Sequence, residues 1–182
     1  MTGHVVAVFP VLRTALESAC YGYLVAKDPG LAEIWSNRHR DDSARKVCRA
    51  AFTGAVRVVA KDFDRSQPPD GGAWIEEAYD AAIDFGGHPN IRSVFAHVRV
   101  EEDVEDDSYF RANLADLYGP DHAETQRILI AALDFGLAIA VVLTRSLDDP
   151  DEQHQDELQA LSDRKNAAAA ALSEGRLHEL LD

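Results

Sequence analysis

Arg13 and Glu17 stand four residues apart inside an otherwise apolar run, a spacing that puts guanidinium and carboxylate on one helix face, where they can pair. Asp134 sits between Leu133 and Phe135 in a second apolar run. Charges in such surroundings require partners, because a lone buried ion is strongly destabilising. Two readings are open: a structural network that fixes helix register, or the polar wall of a ligand or catalytic pocket. A third element is the segment Asp84-Phe85-Gly86-Gly87-His88-Pro89-Asn90. Its glycines allow a tight bend, Pro89 restricts His88 to extended backbone, and Asn90 can cap the next element. The carbonyls of a helix end and Asp84 favour a protonated His88 imidazole. The expected polar cluster is therefore Arg13, Glu17, Asp84, His88, Asn90 and Asp134, with His88 turned inward onto the Arg13–Glu17 face, as a clasp or as the seat of an anionic ligand.

Between Arg38 and Arg65 there are eight Arg or Lys and four Asp, a basic island in a chain of net charge −14. Arg45, Arg49, Thr53, Arg57 and Lys61 recur every fourth residue, which makes a slowly wrapping helical stripe able to hold phosphates. The same stripe can pair with the acidic run Glu101-Glu102-Asp103-Val104-Glu105-Asp106-Asp107. With 32 acidic against 18 basic residues, the mean field repels nucleic acid and anionic membrane, so any nucleic-acid binding is expected to be weak and salt-sensitive.

Sharper chemistries fail on spacing. There is no glycine-rich phosphate loop, no Cys/His zinc pattern and no serine elbow. Carboxylate-bridged metal bundles need Glu-x-x-His on facing helices, and the nearest match, Asp151-x-x-His154, lies in a polar segment. Neither a metal nor a cofactor is expected. Cys20 and Cys48 lie among apolar neighbours and read as buried, reduced thiols of a cytoplasmic protein.

The elements that must carry these residues are helical. Residues 5–26 and 125–146 predict two very apolar helices, adjacent in the core of an all-α multi-helix bundle. Arg13 and Glu17 interrupt the first run and Met1-Thr2-Gly3-His4 lacks a basic residue, which argues against a secretory signal. The run Ile128–Leu143 contains Asp134 and falls short of the roughly 20 residues of a membrane span, so no membrane association is expected. Asp28 caps a short helix with Pro29 in its first turn, and Leu31, Ile34, Trp35 and Arg38 share a face. Asp41-Asp42-Ser43 opens a helix over roughly 43–63, whose apolar face is Ala44, Val47, Cys48, Ala51, Ala55, Val58 and Val59. Residues 65–72 read as a loop, 73–84 as a helix stopped at Gly86-Gly87, and 121–146 as a helix opened by Gly119-Pro120-Asp121. Within 91–118, Val98-Arg99-Val100-Glu101 alternates and suits one small β-hairpin with residues near 109–117. Asp149-Pro150 opens a polar helix whose Leu158, Leu161 and Leu172 form a narrow seam, fit for the periphery or a second subunit. One domain, 1–182, with a core over 1–146 and a peripheral or dimer-contact helix over 147–182, is the economical organisation.

The apolar first helix with Arg13 and Glu17, the Asp84…His88 segment and Arg92-Ser93-Val94-Phe95-Ala96-His97 together give a layout that resembles the HEPN superfamily of helical bundles over residues 5–146. Many of its members are ribonucleases or nucleotide-binding modules. The resemblance implies that Arg92 and His97 would handle the 2′-hydroxyl and leaving-group protons of RNA. One departure stands out: Val98-Arg99-Val100 after His97 reads as extended, whereas the family's motif opens or lies on a helix. The first expectation is thus a homodimeric ligand-binding or interaction module, with a protein partner or a small anion as its target. The second is a ribonuclease.

Overall fold

A computed structural model describes residues 7–65, 71–87, 98–102, 110–114, 119, 122–147 and 151–174. The chain is an all-α multi-helix bundle, with one small hairpin among the described residues. Helix α1 spans Val8–Lys27, with Pro10 in its first turn, where a missing N–H is harmless. Asp28 ends it and caps α2 (Pro29–Ser36), its carboxylate accepting from the N–H of Gly30 at 2.7 Å. Asp41 caps α3 (Asp42–Phe52) by accepting from the N–H of Ala44 at 2.7 Å.

The single helix expected over 43–63 is two. Gly54 takes φ +72°, a left-handed conformation that stops α3, and α4 (Ala55–Arg65) starts on a new axis. The sheltered face is rotated from the expected one. Cys48, Ala55 and Val59 are buried as expected, joined by Phe52, Val56, Ala60 and Phe63, while Val47 and Val58 stay half exposed.

Helix α5 (Gly71–Ala82) begins two residues earlier than expected and runs into a π-helical turn, Ile83–Gly87. At Gly86 a Cβ would lie 2.6 Å from that of Phe9, so glycine is what lets the turn close on α1. Strands β1 (Val98–Glu102) and β2 (Phe110–Leu114) pair antiparallel, Val98 opposite Leu114 and Glu102 opposite Phe110. The hairpin and the extended backbone over Val98–Glu102 agree with the sequence reading. Helices α6 (Ala123–Ser146) and α7 (Glu152–Ser173) are the last of the described elements. Asp151, not Asp149, caps α7, accepting from the N–H of His154 at 3.0 Å, so the Asp151-x-x-His154 pattern serves a helix end.

Helices α1 and α6 pack side by side at the centre, and α4 and α5 cover α1. Leu16, Cys20, Val59, Ile75, Ala138 and Val142 are fully enclosed. Helix α6 is not sheltered on all sides, as its near-continuous apolarity led us to expect. Its buried residues form one stripe, Thr125, Ile128, Phe135, Ala138 and Val142, and Leu133 and Leu143 face outward. Among the described residues it is also the one helix long and apolar enough to cross a membrane, and only 17% of its most apolar window is buried. Helix α7 packs chiefly on α6; Leu172 of its seam is buried and Leu161 is not.

Candidate functional site

The charged pair of α1 forms as its spacing requires: Arg13 Nε donates to Glu17 Oε1 at 3.0 Å. A third member comes from α5. The Tyr79 hydroxyl donates to the same Glu17 oxygen at 2.9 Å and accepts from Arg13 Nη2 at 3.2 Å, closing a ring of three hydrogen bonds. The Arg13 guanidinium also lies 5.3 Å from the centroid of the Tyr79 ring, within cation–π range. Tyr79 reaches this point because Ile75 and Ala82, four residues before and three after it, are the residues by which α5 enters the core.

Burial, the Glu17 hydrogen bond and the Glu17 charge all push the Tyr79 phenol up from 10.0, so it stays a donor. Burial opposes the charge on Arg13, but the Glu17 bond and the fields of Tyr79 and Glu17 outweigh it, and the net direction is upward. The side chains of the pair keep 26% and 29% of their surface in water. That exposure, in keeping with a partly buried pair, softens the cost of breaking it. Glu17→Ala is expected to lower stability by about 1–2 kcal/mol, since it leaves Arg13 and Tyr79 without their shared acceptor. Tyr79→Phe, which keeps the ion pair, should cost less. Urea melts of both variants beside a surface control such as Glu33→Ala check this; equal midpoints for Glu17→Ala and the control would mean that the ring contributes nothing.

The ring opens onto a cleft of about 320 Å³ that also takes in Tyr21 from α1 and Phe52, Gly54 and Arg57 from the α3–α4 junction. The left-handed turn at Gly54 therefore does more than end a helix: it lets α4 present Arg57 to the same cleft as Arg13. Among the described residues no carboxylate pairs with Arg57. The Tyr21 ring is held by Trp35 and Phe52, at centroid distances of 5.6 Å and 5.1 Å.

The other anticipated residues distribute differently. Asp134 is bound by Lys165 of α7 at 2.9 Å, and it lines a separate cavity away from the Arg13 ring. Asp84 lies half-buried in the π-helical turn. His88, Asn90, Arg92 and His97 lie outside the described residues, as does most of the acidic run 101–107. The basic stripe is divided by the break at Gly54: Arg45 and Arg49 belong to α3, Arg57 and Lys61 to α4. All four are exposed, and Arg45 is engaged by Asp42 at 2.9 Å. Tyr79, Tyr21 and Lys165 were not anticipated. For Tyr79 a signal existed, a hydroxyl-bearing ring in register with the apolar positions of α5; for Lys165, in a polar helix with many charges, there was none.

Comparison of the chain with known protein families, with curated proteins and with solved structures finds no match.

Proposed function

We propose that this protein is a binding module, not a catalyst, and that the cleft at Arg13 and Arg57 takes a small anion. The observation that carries the reading is the charge count inside the cleft. Two guanidiniums face one carboxylate, Glu17, which already accepts from both Arg13 and Tyr79. One positive charge is left over in a concave site, and the guanidinium N–H groups not used on Glu17 and Tyr79 are donors suited to phosphate-like or carboxylate oxygens. Free buried thiols at Cys20 and Cys48 suit a cytoplasmic protein.

The net charge of −14 repels anions at long range, so binding depends on close contact and is modest and salt-sensitive. Pyrophosphate and AMP are the probes, titrated at low ionic strength by calorimetry and thermal melting. Both should raise the melting temperature, and Arg57→Ala should weaken binding about tenfold, the loss of one charge-assisted contact. Arg57 is exposed, so the variant should fold normally. Stabilisation that persists unchanged in Arg57→Ala, or none with either anion, overturns the reading. Cleavage of RNA by the wild type that is lost in His97→Ala would replace it with the ribonuclease alternative, in which Arg92 and His97 act.

A further inference from the structure

A second cavity, of about 610 Å³, lies on the other side of α5, between the start of α1, the outer face of α5 and the first half of α6. Its size falls within the roughly 300–1,000 Å³ typical of small-molecule sites. Small residues make the space: Ala78 and Ala81 on α5 stand across from Ala131 on α6. Aromatic rings wall it. Phe9 and Phe85 pack against each other at 5.6 Å at one end, and Trp74 and Phe135 line the remainder. A molecule seated here would meet hydrocarbon and ring faces over most of its surface.

The polar groups of the lining have one prevailing sign. Glu77, Glu124 and Asp134 carry three negative charges and Arg127 one positive. Arg127 is largely in solvent and bonds Glu124 at 2.7 Å, so those two cancel. Asp134 already holds an ammonium, Lys165 Nζ, at 2.9 Å, which shows how an amine can be seated at this rim. Glu77 is exposed at the mouth and has no partner among the described residues. Aromatic faces add their own preference for cations. The whole protein, at −14, attracts cations to the mouth and repels anions.

We infer that this cavity binds an amphiphilic amine, an apolar or aromatic body with one cationic nitrogen, whose body lies among the rings and whose charge pairs with Glu77. The cavity and the Arg13–Arg57 cleft have no lining residue in common, so the inference does not depend on the function proposed for the cleft.

Three probes of matched shape test it: 4-phenylbutylamine, 4-phenylbutanol and 4-phenylbutyrate. Trp74 is the reporter; in a Trp35→Phe background it is the remaining tryptophan, and its emission tracks occupancy directly. The amine should bind saturably and about tenfold more tightly than the alcohol, with the carboxylate weakest. Glu77→Gln should bring the amine down to the alcohol and leave the alcohol unchanged. Filling the space with Ala131→Leu should abolish binding of all three; if that variant loses its helical circular dichroism, Ala81→Leu serves instead. No saturable binding by any probe, a carboxylate as tight as the amine, or undiminished binding in the filled variant overturns the inference.

Discussion

Replacing Gly72 by alanine should destabilise the bundle by about 3–5 kcal/mol, more than most single surface or cap substitutions would. Gly72 opens α5 where that helix crosses α4, and a Cβ there would lie 2.2 Å from the carbonyl oxygen of Ala60 and 2.4 Å from Asp64 Oδ1. Backbone cannot yield as a flexible side chain can, so α5 would have to move off α4. That movement loosens the contacts of Phe63, Ile75 and Ala60, all nearly or fully buried. It also stretches the 3.1 Å hydrogen bond from Gly72 N–H to the Asp64 carboxylate, a charge-assisted bond. For a chain of this size the melting temperature should fall by ~10 °C. Gly22→Ala is the matched control. Gly22 lies inside α1, and a Cβ added there would meet nothing within 4 Å, so alanine should gain about 0.5–1 kcal/mol. Thermal melts in which both variants shift alike would show that the α4–α5 crossing does not hold glycine for the reason given.

Alkaline pH should unfold the protein between about 9 and 12, as a cooperative transition in which thiolate and phenolates appear together with loss of helix. Cys20 is fully enclosed, and burial, helped by the charge of Glu17, pushes its thiol up from 9.0 to about 12. Burial, then the hydrogen bond to Asp62 and the Asp62 charge, push Tyr23 up from 10.0 to about 12. Tyr21 and Tyr79 move upward too, from burial first and Glu17 second. A raised value in the folded state means that the unfolded chain releases its proton first. The stabilisation is therefore complete below the unfolded values of 9.0 and 10.0, and is lost as pH climbs towards 12. For Cys20 alone the full span corresponds to ~4 kcal/mol, against a total stability of ~5–15 kcal/mol for ordinary domains. Urea melts from pH 7 to 11, with phenolate absorbance recorded in parallel, measure the slope. Cys20→Ala should flatten the part that begins near pH 9, whatever its effect on stability at pH 7. Phenolate appearing well before helix is lost, or a midpoint unchanged up to pH 11, would mean that these side chains reach solvent without unfolding.

The residue pattern alone determined the helical class, the positions of α1, α2 and α6, the caps at Asp28 and Asp41, the burial of both cysteines and the Arg13–Glu17 pair. All of these are local. Capping, 3.6-residue periodicity and i,i+4 pairing act within one or two turns of chain, so they can be read without knowing what the helix packs against. Gly54 marks the limit of that reading. A glycine inside an apolar-periodic stretch is tolerated in a helix at modest cost, and only the packing of α4 against α1 and α5 decides that it turns the chain instead. Once it turns, the basic stripe divides, and Arg57 joins Arg13 across a stretch of chain that no spacing rule connects. Tyr79 closing the ring on Glu17, Lys165 seating on Asp134, and the alanine-lined space beside Trp74 are of the same kind. Each depends on where two helices meet, which is set by the whole core at once, and tertiary structure alone decided them.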